Sequence, residues 1–207
     1  MSEKMSKIVP DNETNKNLTE IVVILDRSGS MHGLEKETIG GYNGFIEKQK
    51  EEDSEANLTT ILFDNQYEIL HDRVNLKDVE TLTEKDYYAR GTTALLDAIG
   101  KTIIDIKRKI SNYSGKKQPG KVIFVITTDG YENASREFTN KQIKEMVEKQ
   151  KNEKNWEFLF FGANIDSFGT GMSMGIDKSY DYVASKKGIK DRDNMLCEIV
   201  TDYRRSD

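Results

Sequence analysis

Ile21-Val-Val-Ile-Leu-Asp26-Arg27-Ser28-Gly29-Ser30-Met31 is the stretch on which the reading of this chain turns. Its leading apolar run, mostly β-branched, predicts a strand buried on both faces. The strand stops at a carboxylate and then at two hydroxyls, with Gly29 between them. A buried strand that ends in oxygen-bearing side chains ahead of a helical pattern is how an open α/β sheet builds a site at its carboxyl edge. Asp26, Ser28 and Ser30 are hard oxygen donors, and glycine lets the backbone turn sharply enough for them to converge. Oxygen donors alone suit Mg²⁺, Mn²⁺ or Ca²⁺ better than Zn²⁺. An Asp/Ser/Gly turn that simply caps the next helix has the same composition.

Two later stretches bear on that choice. Arg90-Gly-Thr92-Thr93-Ala-Leu-Leu-Asp97-Ala-Ile99 places hydroxyls at the start of a strongly helical run, and Val122-Ile-Phe-Val-Ile-Thr-Thr-Asp129-Gly130 is a second buried strand ending in a carboxylate and a glycine. The order Asp-x-Ser-x-Ser, then Thr, then Asp-Gly after an apolar strand resembles the von Willebrand factor A (VWA) domain with its metal-ion-dependent adhesion site (MIDAS). The likeness runs from about Ile21 to at least Phe161. It implies a Rossmann-like, doubly wound α/β fold whose sheet is mostly parallel with one antiparallel edge strand. It also implies that Ser28 and Ser30 ligate a cation, Mg²⁺ before Mn²⁺ or Ca²⁺, through their hydroxyls. Asp26 and Asp129 would sit close by, largely through bridging waters. Thr92 and Thr93 are adjacent and leave the third hydroxyl open; the family's spacing from Leu-x-Asp-Ala-Ile implies Thr93. The implied function is a protein-binding module and not an enzyme: an open vertex of the cation captures a Glu or Asp carboxylate of a partner protein. Neutral hydroxyls leave the charge of the dication unquenched, which keeps that vertex electrophilic.

At 207 residues the chain fits one α/β domain, expected over 19–207 behind a polar tail at 1–18. Lys and Arg number 31 against 36 Asp and Glu, for a net charge of −5. No basic block stands out, which argues against a nucleic-acid partner. Cys197 is the sole cysteine, so no intramolecular disulfide forms, and its apolar helical setting predicts an inert, buried thiol. Neither a signal-peptide core nor a bilayer-length apolar run occurs, so the expected address is cytoplasmic with no membrane partner.

Periodicity sketches the remaining elements. A helix is expected over about 32–51, its Gly40, Gly41 and Gly44 allowing close packing on the sheet; 58–63 and 67–71 should form an antiparallel hairpin. Leu95, Ile99, Ile103, Ile106 and Ile110 define the clearest amphipathic helix. Thr139 with Gln142 reads as a capping box and Phe138 as a staple onto Ile143. A strand over 156–161, a short helix interrupted by glycines and marked by Ile165, Phe168 and Met172, an edge strand at 180–183 and a C-terminal helix through Tyr203 complete the chain. Arg27 reads equally as a partner contact or a solvated side chain, Asp166 as a helix cap, Asp97 as an exposed helix position, and Tyr87 and Tyr88 as packing residues. Both histidines are assigned no site role.

The rival reading is a Mg²⁺-dependent phosphoryl-transfer hydrolase, which needs a second carboxylate two residues after Asp26. Ser28 stands there and has no useful pKa for proton transfer. Arg27-Ser28-Gly29-Ser30 is not a dinucleotide-binding glycine pattern either. A VWA scaffold with a vacant metal site, acting by shape alone, is the third reading.

Overall fold

The computed structural model describes residues 14–206, so residues 1–13 of the expected tail lie outside the described residues. The strands are β1 (Asn15–Asp26), β2 (Glu55–Phe63), β3 (Tyr67–Asn75), β4 (Pro119–Thr128), β5 (Glu157–Ala163) and β6 (Lys178–Tyr182). The helices are α1 (Glu35–Lys50), α2 (Leu95–Ser111), α3 (Asn140–Lys154), α4 (Ser167–Ser173) and α5 (Lys186–Arg205). One sheet holds all six strands in the order β3-β2-β1-β4-β5-β6. Its β2–β3 pair is antiparallel and its other pairs are parallel, giving the doubly wound α/β sheet with an antiparallel edge strand that the sequence predicts.

The pleat of β1 shows what its unbroken apolar run is for. Val22 and Ile24 enter the core under α2 and α3, while Ile21, Val23 and Leu25 enter the core under α1 and α5. In β4, Val122, Phe124 and Ile126 take the first side, and Ile123 and Val125 the second. Each such side chain contributes roughly 1.5–3 kcal/mol on burial. The isoleucine stripe of α2 is buried along its whole length, as its period requires.

Connectivity fixes where a site can form. From β1 the chain winds through α1 to β2 on one side, then returns through α2 to β4 on the other. The order therefore reverses between β1 and β4, and their diverging connections leave a crevice above the carboxyl ends.

Several elements differ from expectation. β1 begins at Asn15, so 15–18, assigned to the tail, belong to the strand; the Asn15 N–H donates to Gln118 O at 2.9 Å. α1 starts only at Glu35, because Gly29–Met31 first make a 3₁₀ turn. Its glycines do not meet the sheet: a Cβ on Gly41 would collide with the Asp193 carboxylate of α5, while Gly40 and Gly44 face open space. The close approach is helix to helix. α4 turns Ser167 and Gly171 inward, which leaves Phe168 and Met172 exposed and only Ile165, ahead of the helix, in the core. The capping box at Thr139 forms, and Phe138 packs over Gly100 of α2 against the core cluster that holds Ile143. Among the described residues no helix is long and apolar enough to cross a membrane.

Candidate metal centre

The crevice between β1 and β4 gathers oxygen atoms. Asp26 ends β1 and Asp129 directly follows β4. After Asp26 the 3₁₀ turn folds Ser30 back beside Ser28, with their Oγ atoms 3.1 Å apart. Ser30 Oγ donates to Asp129 Oδ1 at 2.5 Å. Asp26 Oδ1 accepts the Ser28 N–H at 2.6 Å, and Oδ2 accepts the Thr128 hydroxyl at 2.5 Å. Thr93 arrives from the loop before α2: a Cβ built on Gly130 would lie 3.3 Å from Ser30 Oγ and 3.8 Å from Thr93 Oγ1. Asp26, Ser28, Ser30, Thr93 and Asp129 thus come together from three distant segments. Thr92 does not join them; it is exposed and lines a neighbouring cleft, whereas Thr93 is buried.

Five acids are buried in the described structure: Glu20, Asp26, Asp64, Asp129 and Asp193. Glu20 pairs with Arg73 at 2.9 Å, Asp64 with Arg27 at 3.1 Å and Arg90 at 2.7 Å, and Asp193 with Arg192 at 2.6 Å. Asp26 and Asp129 have no cationic side chain among the described residues. Burial pushes the Asp26 carboxyl up to about 6; hydrogen bonds from Thr128 and Ser28 oppose the rise, and the like charge of Asp129 adds to it. Burial raises Asp129 too, against the hydrogen bond from Ser30. Two carboxylates and three hydroxyls fit a hard divalent cation, the acids supplying charge and the hydroxyls neutral oxygen. Among the described residues no three His, Cys, Asp or Glu side chains gather to hold a metal.

Neighbouring loops hold the donors in place. Tyr87 is buried and its hydroxyl donates to Asp26 O at 2.6 Å. Backbone bonds tie the donor loop to both sides: Arg27 N–H to Phe63 O at 2.8 Å, Arg90 N–H to Arg27 O at 2.8 Å, and Gly29 N–H to Gly91 O at 3.1 Å. Gly91 adopts φ +68°, a conformation in which side chains other than glycine are strained. Arg27 neither faces solvent nor awaits a partner: it is 1% exposed and also reaches Glu68 at 2.7 Å. Tyr88 stacks over both Arg27 and Arg90.

On the other flank the β4–α3 loop fixes Thr93. Asn133 Oδ1 accepts the Thr93 N–H at 2.9 Å, and Thr93 O accepts the Asn133 and Ala134 N–H groups at 3.0 and 3.2 Å. Glu132 takes the Leu96 N–H at 3.0 Å, at the first turn of α2. Asp97 is not a simple exposed position, since it accepts the N–H groups of Arg136, Glu137 and Phe138. Partial burial raises its carboxyl, yet those bonds hold it below its usual value. The sequence reading missed Asn133, Glu132 and Asp64 as site-building residues; for the first two, an acid and an amide three and four residues after Asp129 are the one local signal. Asp166 does cap α4, accepting the Gly169 N–H at 2.8 Å, and His32 lies at the surface. Burial pushes the Cys197 thiol up to about 11, which keeps it unreactive.

No protein-family model and no curated protein matches this sequence. Solved structures do match. The vWF domain of the type V pili tip protein Mfa5 from Porphyromonas gingivalis is similar with a TM-score of 0.63 at 10% identity, over 91% of this chain and 97% of that one. Proximal thread matrix protein 1 from the mussel byssus gives 0.64 at 11% identity, over 89% and 46%. The ArnB paralog VWA2 from Sulfolobus acidocaldarius gives 0.58 at 18% identity, over 88% and 45%.

This chain has the VWA fold.

A further structure of the mussel protein, with a zinc-occupied MIDAS motif, matches with a TM-score of 0.60 at 13% identity. The chain spans about half the length of the mussel protein. At these identities the likeness speaks for the VWA fold, and what the fold does here has to be argued from the site itself.

Proposed function

We propose that this VWA domain binds a divalent cation, Mg²⁺ in the first instance, through Ser28, Ser30 and Thr93 with Asp26 and Asp129 supplying the charge, and thereby captures a Glu or Asp of a partner protein. One observation carries the reading: of the buried acids among the described residues, only these two have no basic side chain beside them, and they face three gathered hydroxyls. Two desolvated carboxylates so close are unfavourable together unless positive charge comes from outside. A bound cation supplies that charge and, with hydroxyls in its shell, a coordination position open to a carboxylate oxygen. The protein's part is to hold Ser30 and Thr93 in register and to keep Asp26 dry beneath them. We read the domain as a binding module and not an enzyme, because no side chain suited to general acid chemistry stands two residues after Asp26. The zinc in the mussel structure supports a divalent cation without choosing Mg²⁺.

The test is a pull-down from native lysate in Mg²⁺, in Zn²⁺ and in EDTA, run beside Asp129→Ala, with calorimetry of each metal on the same samples. Capture in metal that vanishes in EDTA and in the variant is expected. Equal recovery in every arm removes the metal from the function and leaves a scaffold that acts by shape.

A further inference from the structure

The neighbour of the metal centre is a cleft of about 530 Å³, floored by the first turns of α2. Asn65 and Gln66, at the β2–β3 turn, form one wall; Asn133 and Arg136, in the β4–α3 loop, form the other. Thr92 and Ala94, on either side of Thr93, and Asn133, which accepts the Thr93 N–H, all line it, so the cleft adjoins the gathered donors. We propose that it is a second subsite for the same partner: an extended acidic segment lies along it, one carboxylate at the cation and a second, within four residues of the first, on Arg136. This rests on the metal-capture reading and names the chemistry of the segment that reading requires.

The charges in the cleft point to Arg136. Asp97 is occupied by three backbone N–H groups. The Lys101 ammonium sits 2.7 Å from Glu137. Arg136 is exposed, and its guanidinium makes no ion pair or hydrogen bond among the described residues. An unpaired guanidinium beside a carboxylate-binding metal is suited to bidentate recognition of another carboxylate.

The spacing agrees. The β4–α3 loop is pinned at Thr93 O by Asn133 and Ala134, and at Asp97 by the Arg136 N–H. Thr93 and Asp97 are four residues apart across the N-cap Ala94 and the first turn of α2, at most about 14 Å of chain. An extended peptide covers such a span in about four residues. Acids within four residues of each other therefore suit the metal centre and Arg136. The primary amides of Asn65 and Gln66 each offer donor and acceptor groups, as a peptide backbone between those acids requires. The opposite flank is different: Tyr131, Phe168 and Val183, 60%, 63% and 68% exposed, follow β4, β5 and β6. A partner recognised on that flank would carry apolar residues instead.

A display library of peptides with one fixed Glu and random neighbours, selected on the immobilised full chain in Mg²⁺ and eluted with EDTA, separates the outcomes. The same selection is run on Arg136→Gln, which keeps the backbone bond to Asp97, after its melting temperature and Mg²⁺ affinity are shown to match the parent. Expected is enrichment of Asp or Glu at one position within four residues of the fixed Glu, lost in the variant. The winning peptide should bind Arg136→Gln about tenfold more weakly, the scale of one charge-assisted bond. Apolar enrichment with no second acid, or a second acid that survives in the variant, overturns the subsite while leaving metal capture intact. If EDTA releases no Glu-dependent peptide, metal capture itself fails and the subsite with it.

Discussion

Two carboxylates on one strand meet opposite fates. Glu20 and Asp26 lie on β1, 0% and 1% exposed, and burial raises both above their ordinary values. Glu20 is answered from within the protein. Arg73 donates to it at 2.9 Å from the edge strand β3, across β2, with Tyr113 stacked on the guanidinium at 4.4 Å, and Asn57 and Thr59 of β2 fill its remaining positions. Asp26 receives only a hydroxyl and a backbone N–H, with Asp129 close by. The structure neutralises one end of the strand and leaves the other polar, charged and dry. A buried acid closed by arginine is architecture, while a buried acid closed by hydroxyls is suited to an incoming cation.

The largest expected effect tests the closed end. Glu20→Gln leaves the Arg73 guanidinium without its counter-charge and should cost ~3 kcal/mol in urea denaturation. Its response to Mg²⁺ should not change; a change would mean that the two ends of β1 are not independent. At a hundredfold excess over its dissociation constant, a cation that binds only the folded state adds about 2.7 kcal/mol, which raises Tm by about 5–10 °C in a chain of this size. Asp26→Asn should abolish that rise without lowering the Tm in EDTA, because it removes an unpaired buried charge. A variant that loses stability in EDTA but keeps the Mg²⁺ response would reverse the comparison. The smallest effect separates the adjacent threonines. Thr93→Val should weaken Mg²⁺ about tenfold by calorimetry, close to 1.4 kcal/mol, and Thr92→Val should leave it unchanged.

How much of this was legible beforehand depends on the range of the signal. The pleat of β1 and the stripe of α2 are written in local order, since burial repeats every second residue in one and every three or four in the other. The donor motif was equally local, two hydroxyls within four residues of Asp26, and Asp129 announced itself at the end of an apolar run. What remained hidden involves partners far apart in sequence. Arg27 became a buried strut because Asp64, 37 residues away, turned inward beneath it. Asp97 became a loop anchor for N–H groups 39–41 residues on. Gly41 of α1 met α5 and not the sheet, since a small residue signals a close approach but not which surface approaches.

The sequence by itself determined the layered α/β architecture and the supply of oxygen atoms at two strand ends, because both follow from short-range alternation of apolar and polar residues. Only the tertiary structure decided which acids would find an arginine and which would stand with hydroxyls alone. That choice depends on side chains brought within about 3 Å from distant segments, and charge pairing at such range has no local trace in the chain.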